Sequence, residues 1–256
     1  MNVKLEKQGG IATVTLDRAD KMNALSEDMY VDVANIFGEL QTDESVRAVI
    51  LTGAGKAFCS GSDVGSMQGV TMVGNRPRMQ LRHRMITNIV NLEKPVIAAV
   101  NGAAVGIGFS VALACDLIVA AESAKFSMLF KRIGLVPDGG AVFFLAQHLG
   151  IARAKELVYT ARMLPAQEAR EWGIATKVVP DAELIGAAQA FAGELAGSAT
   201  YAIGLAKKMF QSVYVPSLEA LLETEILTST IARMTEDHKE GITAFAEKRK
   251  PQFKGR

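Results

Sequence analysis

Three short apolar segments constrain the fold of this chain more than any other feature of the sequence. Residues 48–51, 96–100 and 117–120 are rich in Val, Ile and Ala and contain no polar alternation. Segments of this length and composition are typical of strands that are buried on both faces, as in parallel sheets covered by helices. Helical spacing of apolar residues recurs between them, so the sequence predicts an α/β core.

The N-terminal region predicts a hairpin followed by a helix. Residues 3–7 and 11–16 alternate between apolar and polar side chains on either side of a Gly-Gly pair, which is typical of a β-hairpin. Ser26 precedes two acidic residues and a series of apolar residues at helical spacing. We therefore expect Ser26 to cap a helix whose first turn carries favourable negative charge.

The rest of the chain predicts a loop over the core and a helical end. The glycine-rich stretch 65–78 is expected to form a mobile loop, and a basic helix is expected over about 77–92. From about residue 166 the pattern is mostly helical. We predict a core over 1–195 that carries the functional site, and a helical region over 196–256.

Composition excludes several classes of function. The 256 residues include 28 basic and 27 acidic ones, a net charge of +1, which favours neither nucleic acid nor an anionic membrane as a partner. No segment has the length of an apolar membrane span, and the N-terminus has no signal-peptide core. Cys59 and Cys115 are far apart, and so are His83, His148 and His238, so we expect no metal site and a reducing, cytoplasmic location.

Three glycine motifs approach known signatures without meeting their spacing. The Gly-Ile-Gly at 106–108 has Val111 where a dinucleotide-binding turn requires glycine. Ser110 lies too far past the preceding strand to be the serine of a nucleophile elbow. Lys56 is followed by Ala57 rather than by the hydroxyl residue of a phosphate-binding loop.

Two glycine-rich turns are more informative. The segments 60–63 and 106–108 each follow a predicted strand, and the second leads into the predicted helix 109–114. Glycine allows close backbone approach, and the first N–H groups of a helix lack intrahelical acceptors. Two such groups that converge on one oxygen would form an oxyanion hole. From these residues alone, two ordinary tight turns remain the alternative.

Several segments together resemble one known family. Residues 58–64 (FCSGSDV) resemble the Phe-x-x-Gly-x-Asp-Ile/Leu motif of the enoyl-CoA hydratase/isomerase family, the crotonase superfamily. Segments 94–102, 114–120, 133–140 and 247–256 match the family in the same order and at similar spacing. The resemblance covers essentially the whole chain.

The resemblance implies a fold, a substrate class and an assembly. The expected fold is an α/β crotonase-like spiral of ββα units with a C-terminal helical region used for trimerisation. The expected partner is an acyl-CoA thioester, and coenzyme A, as part of that substrate, replaces any separate cofactor. The expected assembly is a homotrimer or a hexamer of two trimers. The RNA-binding role of an outlying member finds little support in a net charge of +1.

The resemblance also assigns site residues. It gives the backbone N–H groups of Ser60 and Ile107 the role of holding the thioester oxygen. It places six residues against the substrate: Ser60, Gly61, Ser62, Asp63, Ile107 and Phe130. Six apolar residues are candidates for an acyl pocket, and the alternative for each is a place in the core: Phe58, Met67, Met85, Phe109, Phe130 and Phe143.

The choice of reaction depends on three positions. Ser110 and Phe130 occupy the positions where the family's hydratases carry two water-activating glutamates, and neither residue is an adequate base. Asp138 lies in a Pro-Asp pair, as in family members that resemble the ring 1,2-epoxyphenylacetyl-CoA isomerase, where this aspartate moves a double bond. The sequence therefore predicts an acyl-CoA double-bond isomerase with Asp138 as acid and base.

Other interpretations remain open at this point. Asp138 has a simpler interpretation as a turn residue after proline. The alternatives for the whole chain are a hydratase with an atypical base, an enzyme of another crotonase-type reaction such as dehalogenation or thioester hydrolysis, and a non-catalytic acyl-CoA-binding relative. We expect no catalytic role for His83, because a lone histidine on a helix is more often a surface or packing residue. We expect none for Cys59, because it has no identifiable activating partner.

Overall fold

The computed structural model describes residues 2–67, 71–198, 200–211, 217–219, 222–223, 226, 230, 233–234 and 236–252. The strands are β1 (Val3–Gln8), β2 (Ile11–Leu16), β3 (Ala48–Gly53), β4 (Ala57–Cys59), β5 (Val96–Val100), β6 (Ala103–Val105), β7 (Leu117–Ala121), β8 (Lys125–Ser127), β9 (Leu164–Pro165) and β10 (Lys177–Val179). The helices are α1 (Glu27–Thr42), α2 (Met72–Asn91), α3 (Ile107–Ala114), α4 (Ala141–Thr160), α5 (Ala166–Glu171), α6 (Leu184–Ala196), α7 (Thr200–Gln211) and α8 (Glu236–Ala246). Short 3₁₀ turns occupy Ala19–Lys21, Val64–Met67, Leu129–Ile133 and Asp181–Glu183.

The strands form two sheets, and successive segments of the chain add strands to both. The larger sheet has the order β1-β2-β3-β5-β7-β10, and the smaller sheet has the order β4-β6-β8-β9. Apart from the antiparallel pairs β1–β2 and β8–β9, neighbouring strands are parallel. Each ββα unit therefore adds one strand to each sheet before its helix, as in β3-β4-α2, β5-β6-α3 and β7-β8-α4. This arrangement confirms the predicted spiral of ββα units.

The three apolar segments form the centre of the larger sheet, as predicted. Every residue of β3 and β5 is buried, and so is β7 after its first residue. The predicted hairpin is β1–β2, in which Gln8 pairs with Ile11. The side chain of Ser26 accepts a hydrogen bond from the Met29 N–H, which confirms the predicted N-cap of α1.

The segment predicted as a long loop is partly helical. Helix α2 begins at Met72 rather than near residue 77, and the Thr71 side chain caps it by accepting a hydrogen bond from the Gly74 N–H. The prediction of a loop over 65–78 is therefore wrong for its second half. The capping hydroxyl and tertiary packing of α2 outweigh the weak helix propensity of the glycine at position 74.

The region after residue 160 contains strands that the sequence did not predict. Strands β9 and β10 are two and three residues long, too short to produce a recognisable alternation. The predicted boundary at residue 195 coincides with the end of α6, which packs on the larger sheet, but the division into two regions stays a prediction. So does the trimerisation role of 196–256, a region of which residues 199, 212–216, 220–221, 224–225, 227–229, 231–232, 235 and 253–256 lie outside the described part.

Asn23 ties the segment before α1 to the turn between β3 and β4. This buried residue has φ +56°. Its Nδ2 donates to the carbonyl oxygens of Ala54 at 2.9 Å and Ala57 at 2.7 Å, and its Oδ1 accepts from the Arg18 N–H at 2.9 Å. The bonds hold β4 in place where the first glycine-rich turn leaves it.

Replacing Asn23 by Ala is expected to lower the free energy of unfolding by about 2–4 kcal/mol, because buried backbone groups lose their partners and alanine tolerates the positive φ poorly. Urea denaturation measures this change. Asn35→Ala is the matched control, since Asn35 is exposed and bonds only to an exposed arginine among the contacts of the described residues. Equal stability of the two variants would contradict this account of Asn23.

Candidate active site

Strand pairing brings the two glycine-rich turns together. Strands β4 and β6 are neighbours in the smaller sheet, and each turn follows one of them. A Cβ on Gly108 would lie 2.3 Å from the Cys59 carbonyl oxygen, and a Cβ on Gly61 would lie 3.3 Å from the Val105 carbonyl oxygen. The turns therefore touch, and only glycine at position 108 permits this approach.

Replacing Gly108 by Ala is expected to lower the rate of any reaction that uses both turns by about 10²–10³-fold, the usual effect of losing one oxyanion donor. The added methyl group would push α3 away from β4. Gly186→Ala is the matched control, because a Cβ there has nothing within 4 Å and helix α6 gains about 1 kcal/mol from alanine. Steady-state kinetics of both variants test this, and full activity of Gly108→Ala would contradict it.

Ile107 occupies the position predicted for a backbone donor. It is the first residue of α3, and Gly106 precedes it with φ +57°. The first N–H groups of a helix have no acceptor within that helix, and they lie at the positive end of its dipole. The Ile107 side chain is buried, so its size shapes the surroundings of this N–H without removing the donor.

The geometry does not fit the role predicted for the Ser60 N–H. This group already donates to the Met22 carbonyl oxygen at 3.0 Å. Gly61 has φ +112°, which breaks the regular alternation of the strand, and the direction of each later N–H group depends on that break. The prediction carried Ser60 over from the family by position, and the bond to Met22 leaves its N–H unavailable for a thioester oxygen.

The Ser62 N–H takes the orientation expected for Ser60. Leu25 donates its N–H to the Gly61 carbonyl oxygen at 2.8 Å and accepts from the Asp63 N–H at 2.9 Å. Successive N–H groups of an extended segment point to opposite sides. Ser62 lies between these two bonds, so its N–H points away from Leu25 and toward the side where β6 and α3 lie.

The side chains of this turn hold the turn itself. The Ser62 hydroxyl forms a hydrogen bond of 2.8 Å with the Tyr30 hydroxyl of α1. The Asp63 carboxylate accepts from Arg18 at 2.7 Å and from the Gly65 N–H at 3.0 Å, and the bond to Arg18 lowers the pKa of Asp63. The four residues predicted to contact the substrate, Ser60, Gly61, Ser62 and Asp63, thus lie in a turn with fixed geometry, and their contacts with a substrate stay a prediction.

Asp138 lies beside the start of α3. It is 3% exposed, and its backbone carbonyl oxygen accepts a hydrogen bond of 2.9 Å from the Ser110 hydroxyl. A Cβ on Gly139 would lie 3.1 Å from Ser110 and 3.2 Å from Ile107. The structure therefore brings together Asp138 and Ile107, which are 31 positions apart in the sequence.

The carboxylate of Asp138 has one engaged and one unengaged oxygen. Its Oδ2 accepts from Arg82 Nη1 at 3.1 Å, whereas its buried Oδ1 accepts no hydrogen bond from the described residues. Burial raises the pKa of Asp138 above its usual value, and the positive charge of Arg82 opposes that rise. A raised pKa makes a carboxylate a stronger base, while the arginine favours its ionised form.

Arg82 and Tyr30 belong to the site and were missed by the sequence reasoning. Arg82 is 4% exposed, and its guanidinium carbon lies 5.3 Å from the centre of the Tyr30 ring. Met79, Ile86 and Ile89 on the same helix are also buried. The available signal was a charged residue at helical spacing from the apolar residues Met79, Ile86 and Ile89.

The predicted apolar residues have different surroundings. Phe130 lies against Gly106, 3.8 Å from the position of a Cβ there. Phe58, Met85 and Phe109 are fully buried core residues. Phe143 lines a separate cleft of about 790 Å³ with the end of α3 and with α7. The side chain of Met67 lies outside the described part.

The structure gives no support to a cysteine nucleophile, a metal site or a membrane span among the described residues. Burial raises the pKa of Cys59 to about 12, so its thiol is not an ionised nucleophile near neutral pH. In the described ranges, no three His, Cys, Asp or Glu side chains are grouped closely enough to bind a metal ion. No helix within those ranges has the length and hydropathy required to cross a membrane.

Comparisons with known proteins cover nearly the whole chain. The sequence model of the Enoyl-CoA hydratase/isomerase family matches residues 6–256. The chain is 36% identical to the 1,2-epoxyphenylacetyl-CoA isomerase of Escherichia coli K12 over 96% of both chains. It is 37% identical to the short-chain-enoyl-CoA hydratase of Clostridium acetobutylicum, over 100% of this chain and 98% of the relative.

Solved structures give the same result. The crystal structure of an enoyl-CoA hydratase from Mycobacterium avium subsp. paratuberculosis K-10 superimposes with a TM-score of 0.91 and 31% identity, covering 99% of each chain. A 1.8 Å structure of the Bacillus anthracis enoyl-CoA hydratase gives a TM-score of 0.81 and 33% identity, covering 100% of each chain. The chain therefore belongs to the enoyl-CoA hydratase/isomerase family, the crotonase superfamily.

Proposed function

We propose that this protein is an acyl-CoA double-bond isomerase in which Asp138 is the acid and base. The observation that carries the proposal is the buried Asp138 carboxylate, held by Arg82 through one oxygen while the other is unengaged by the described residues. Gly139 packs beside Ile107, so this carboxylate lies next to the turn that supplies a backbone donor.

The two backbone donors stabilise the charge that forms during the reaction. In the proposed complex, the Ser62 and Ile107 N–H groups hold the thioester oxygen. Removing a proton from the carbon next to the thioester carbonyl moves negative charge onto that oxygen. Donors fixed by the fold need no reorganisation when this charge appears, so they lower the barrier directly.

A single carboxylate is sufficient for the proton transfers. Asp138 takes a proton from C2 of a 3-enoyl-CoA, and the electron pair of that C–H bond produces a dienolate. The protonated Asp138 then returns the proton to C4, which gives the 2-enoyl-CoA and restores the carboxylate. No atom is gained or lost, so the reaction needs no cofactor beyond the coenzyme A that the substrate carries.

Addition of water is less consistent with the site. Two positions that would supply water-activating glutamates carry Ser110 and Phe130. The Ser110 hydroxyl donates to the Asp138 carbonyl oxygen at 2.9 Å, so its proton is already committed to a structural bond. Phenylalanine has no group that transfers a proton. The hydratase alternative therefore requires a base other than these two residues.

Product analysis in heavy water tests the proposal. The purified protein is incubated separately with 3-hexenoyl-CoA and 2-hexenoyl-CoA, and products are identified by mass spectrometry. Double-bond migration with deuterium incorporation is the expected result. A water adduct as the main product would instead establish a hydratase, and binding of both esters without conversion would establish a non-catalytic acyl-CoA-binding protein.

The remaining expectations stay predictions. These are the homotrimer or hexamer implied by the resemblance, and the cytoplasmic location and the absence of nucleic acid, membrane and metal partners expected from composition.

A further inference from the structure

A second buried arginine belongs to the surroundings of Asp138. Arg233 follows Thr230 by three residues and is 9% exposed, and its charge acts on both Asp138 and Arg82. Arg82 contacts the carboxylate directly. Arg82, Asp138 and Arg233 are all buried, so these three side chains together carry two positive charges and one negative charge.

Two nitrogens of the Arg233 guanidinium group have no acceptor among the described residues. Its Nε and Nη1 are buried and donate to no atom of the part of the chain that the structure describes. Buried charges are normally paired, because removing them from water without a partner is costly. Buried arginine donors without acceptors are therefore expected where a ligand supplies the acceptor.

Contacts between two helical segments fix the position of Arg233. Asn75 Nδ2 donates to the Thr230 hydroxyl at 2.9 Å, and that hydroxyl donates to the Ile226 carbonyl oxygen at 2.6 Å. Residues three apart lie on the same side of a helix, so Arg233 faces α2 as Thr230 does. Asn75 and Arg82 share that inner face of α2, since both are buried and lie two turns apart.

The position of Asp138 connects Arg233 to the proposed substrate path. The backbone around Asp138 packs on α3 through Gly139, whereas its carboxylate turns toward Arg82 on the inner face of α2, the face that Arg233 also meets. An acyl chain whose thioester oxygen lies at the Ile107 N–H, and whose reacting carbons reach the carboxylate, extends beyond Asp138 toward Arg233.

We propose that Arg233 binds a carboxylate at the far end of the acyl chain, so that the preferred substrates are CoA monothioesters of unsaturated dicarboxylic acids. This inference rests on the proposed function for the direction of the acyl chain. A terminal carboxylate accepts from the unsatisfied guanidinium donors and balances the excess positive charge. A methyl-terminated chain supplies no acceptor and leaves the arginine buried and unpaired.

Binding of saturated esters tests the subsite without relying on catalysis. Adipoyl-CoA and hexanoyl-CoA have six acyl carbons and differ only in the terminal carboxylate, and neither has a double bond to move. Isothermal titration calorimetry is expected to show adipoyl-CoA binding about tenfold tighter or more, since charge-assisted hydrogen bonds are about twice as strong as neutral ones. Arg233→Met is expected to abolish this preference by weakening adipoyl-CoA binding alone.

Two further variants keep the test decisive. Arg76→Met removes the same charge from the exposed outer side of α2, where Arg76 pairs with Glu223 at 3.2 Å, and should preserve the preference. Arg233→Lys retains the charge and should keep part of the preference for adipoyl-CoA. This variant provides the test if Arg233→Met fails to fold. Equal binding of the two esters by the unmodified protein would overturn the proposal, and so would an unchanged preference in Arg233→Met.

The outcome is independent of the proposed reaction. A preference for adipoyl-CoA in a protein that moves no double bond would retain the subsite and reject the isomerase. Isomerase activity without a preference for adipoyl-CoA would retain the isomerase and reject the subsite.

Discussion

Replacing Asp138 by Asn is expected to lower kcat for double-bond migration by about 10²–10⁴-fold, the usual contribution of a general acid–base group. The amide has nearly the shape of the carboxylate and its oxygen accepts from Arg82, but it cannot carry a proton between two carbons. Steady-state kinetics with 3-hexenoyl-CoA measure the loss. Titration with hexanoyl-CoA should show unchanged binding, because the Ser62 and Ile107 donors remain.

A second aspartate supplies the control. Asp116 forms an ion pair of 2.8 Å with Lys207 and accepts from the Val96 N–H at 2.8 Å. Neither partner contributes to the proposed site, so Asp116→Asn should affect stability more than turnover. Near-normal kcat in Asp138→Asn, with the fold preserved, would reject Asp138 as the acid and base.

Replacing Arg82 by Met is expected to lower the free energy of unfolding by about 3–5 kcal/mol, because the loss of one partner leaves a buried carboxylate uncompensated. It should also change the pH dependence. Burial raises the pKa of Asp138 and Arg82 opposes that rise, so its removal raises the pKa further. Asp138 must be ionised to accept a proton, and the fall of kcat at acidic pH therefore moves to higher pH.

Thermal denaturation and pH–rate profiles test the two effects separately. Arg82→Lys keeps the positive charge and should show a smaller change in both. Arg84→Met is the matched control, since Arg84 lies on the exposed side of α2 and bonds to Asn35. An unchanged profile in Arg82→Met would show that Arg82 does not control the ionisation of Asp138.

The elements of the fold that depend on local pattern could be predicted from the sequence. Strands β3, β5 and β7 follow from continuous apolar segments, and the start of α1 follows from Ser26. The early start of α2 and the strands β9 and β10 could not, because they depend on one capping hydroxyl and on pairing with distant strands.

The site could be predicted only in part for a similar reason. The resemblance singled out Asp138 and Ile107, and the structure places them side by side through Gly139. The choice between Ser60 and Ser62 depends on the backbone angle at Gly61, which no residue pattern specifies. Arg82 and Arg233 reach Asp138 from 56 positions before it and from far after it, so only the tertiary structure brings them together.

Overall identity does not select the reaction within this family. The isomerase from Escherichia coli and the hydratase from Clostridium acetobutylicum are 36% and 37% identical to this chain. The proposal depends instead on particular groups: the committed hydroxyl of Ser110, the apolar ring of Phe130 and the half-engaged carboxylate of Asp138.

The most direct test follows one proton through a single turnover. 3-Hexenoyl-CoA that carries deuterium on C2 is mixed in ordinary water with an excess of the protein, and the 2-hexenoyl-CoA formed is examined by mass spectrometry and NMR. Because Asp138 is 3% exposed, the account predicts that part of the deuterium moves from C2 to C4 of the same molecule, and that Asp138→Asn loses this transfer. Absence of deuterium from C4 of the product in the unmodified protein, or transfer that persists in Asp138→Asn, would contradict a mechanism in which this one carboxylate carries the proton.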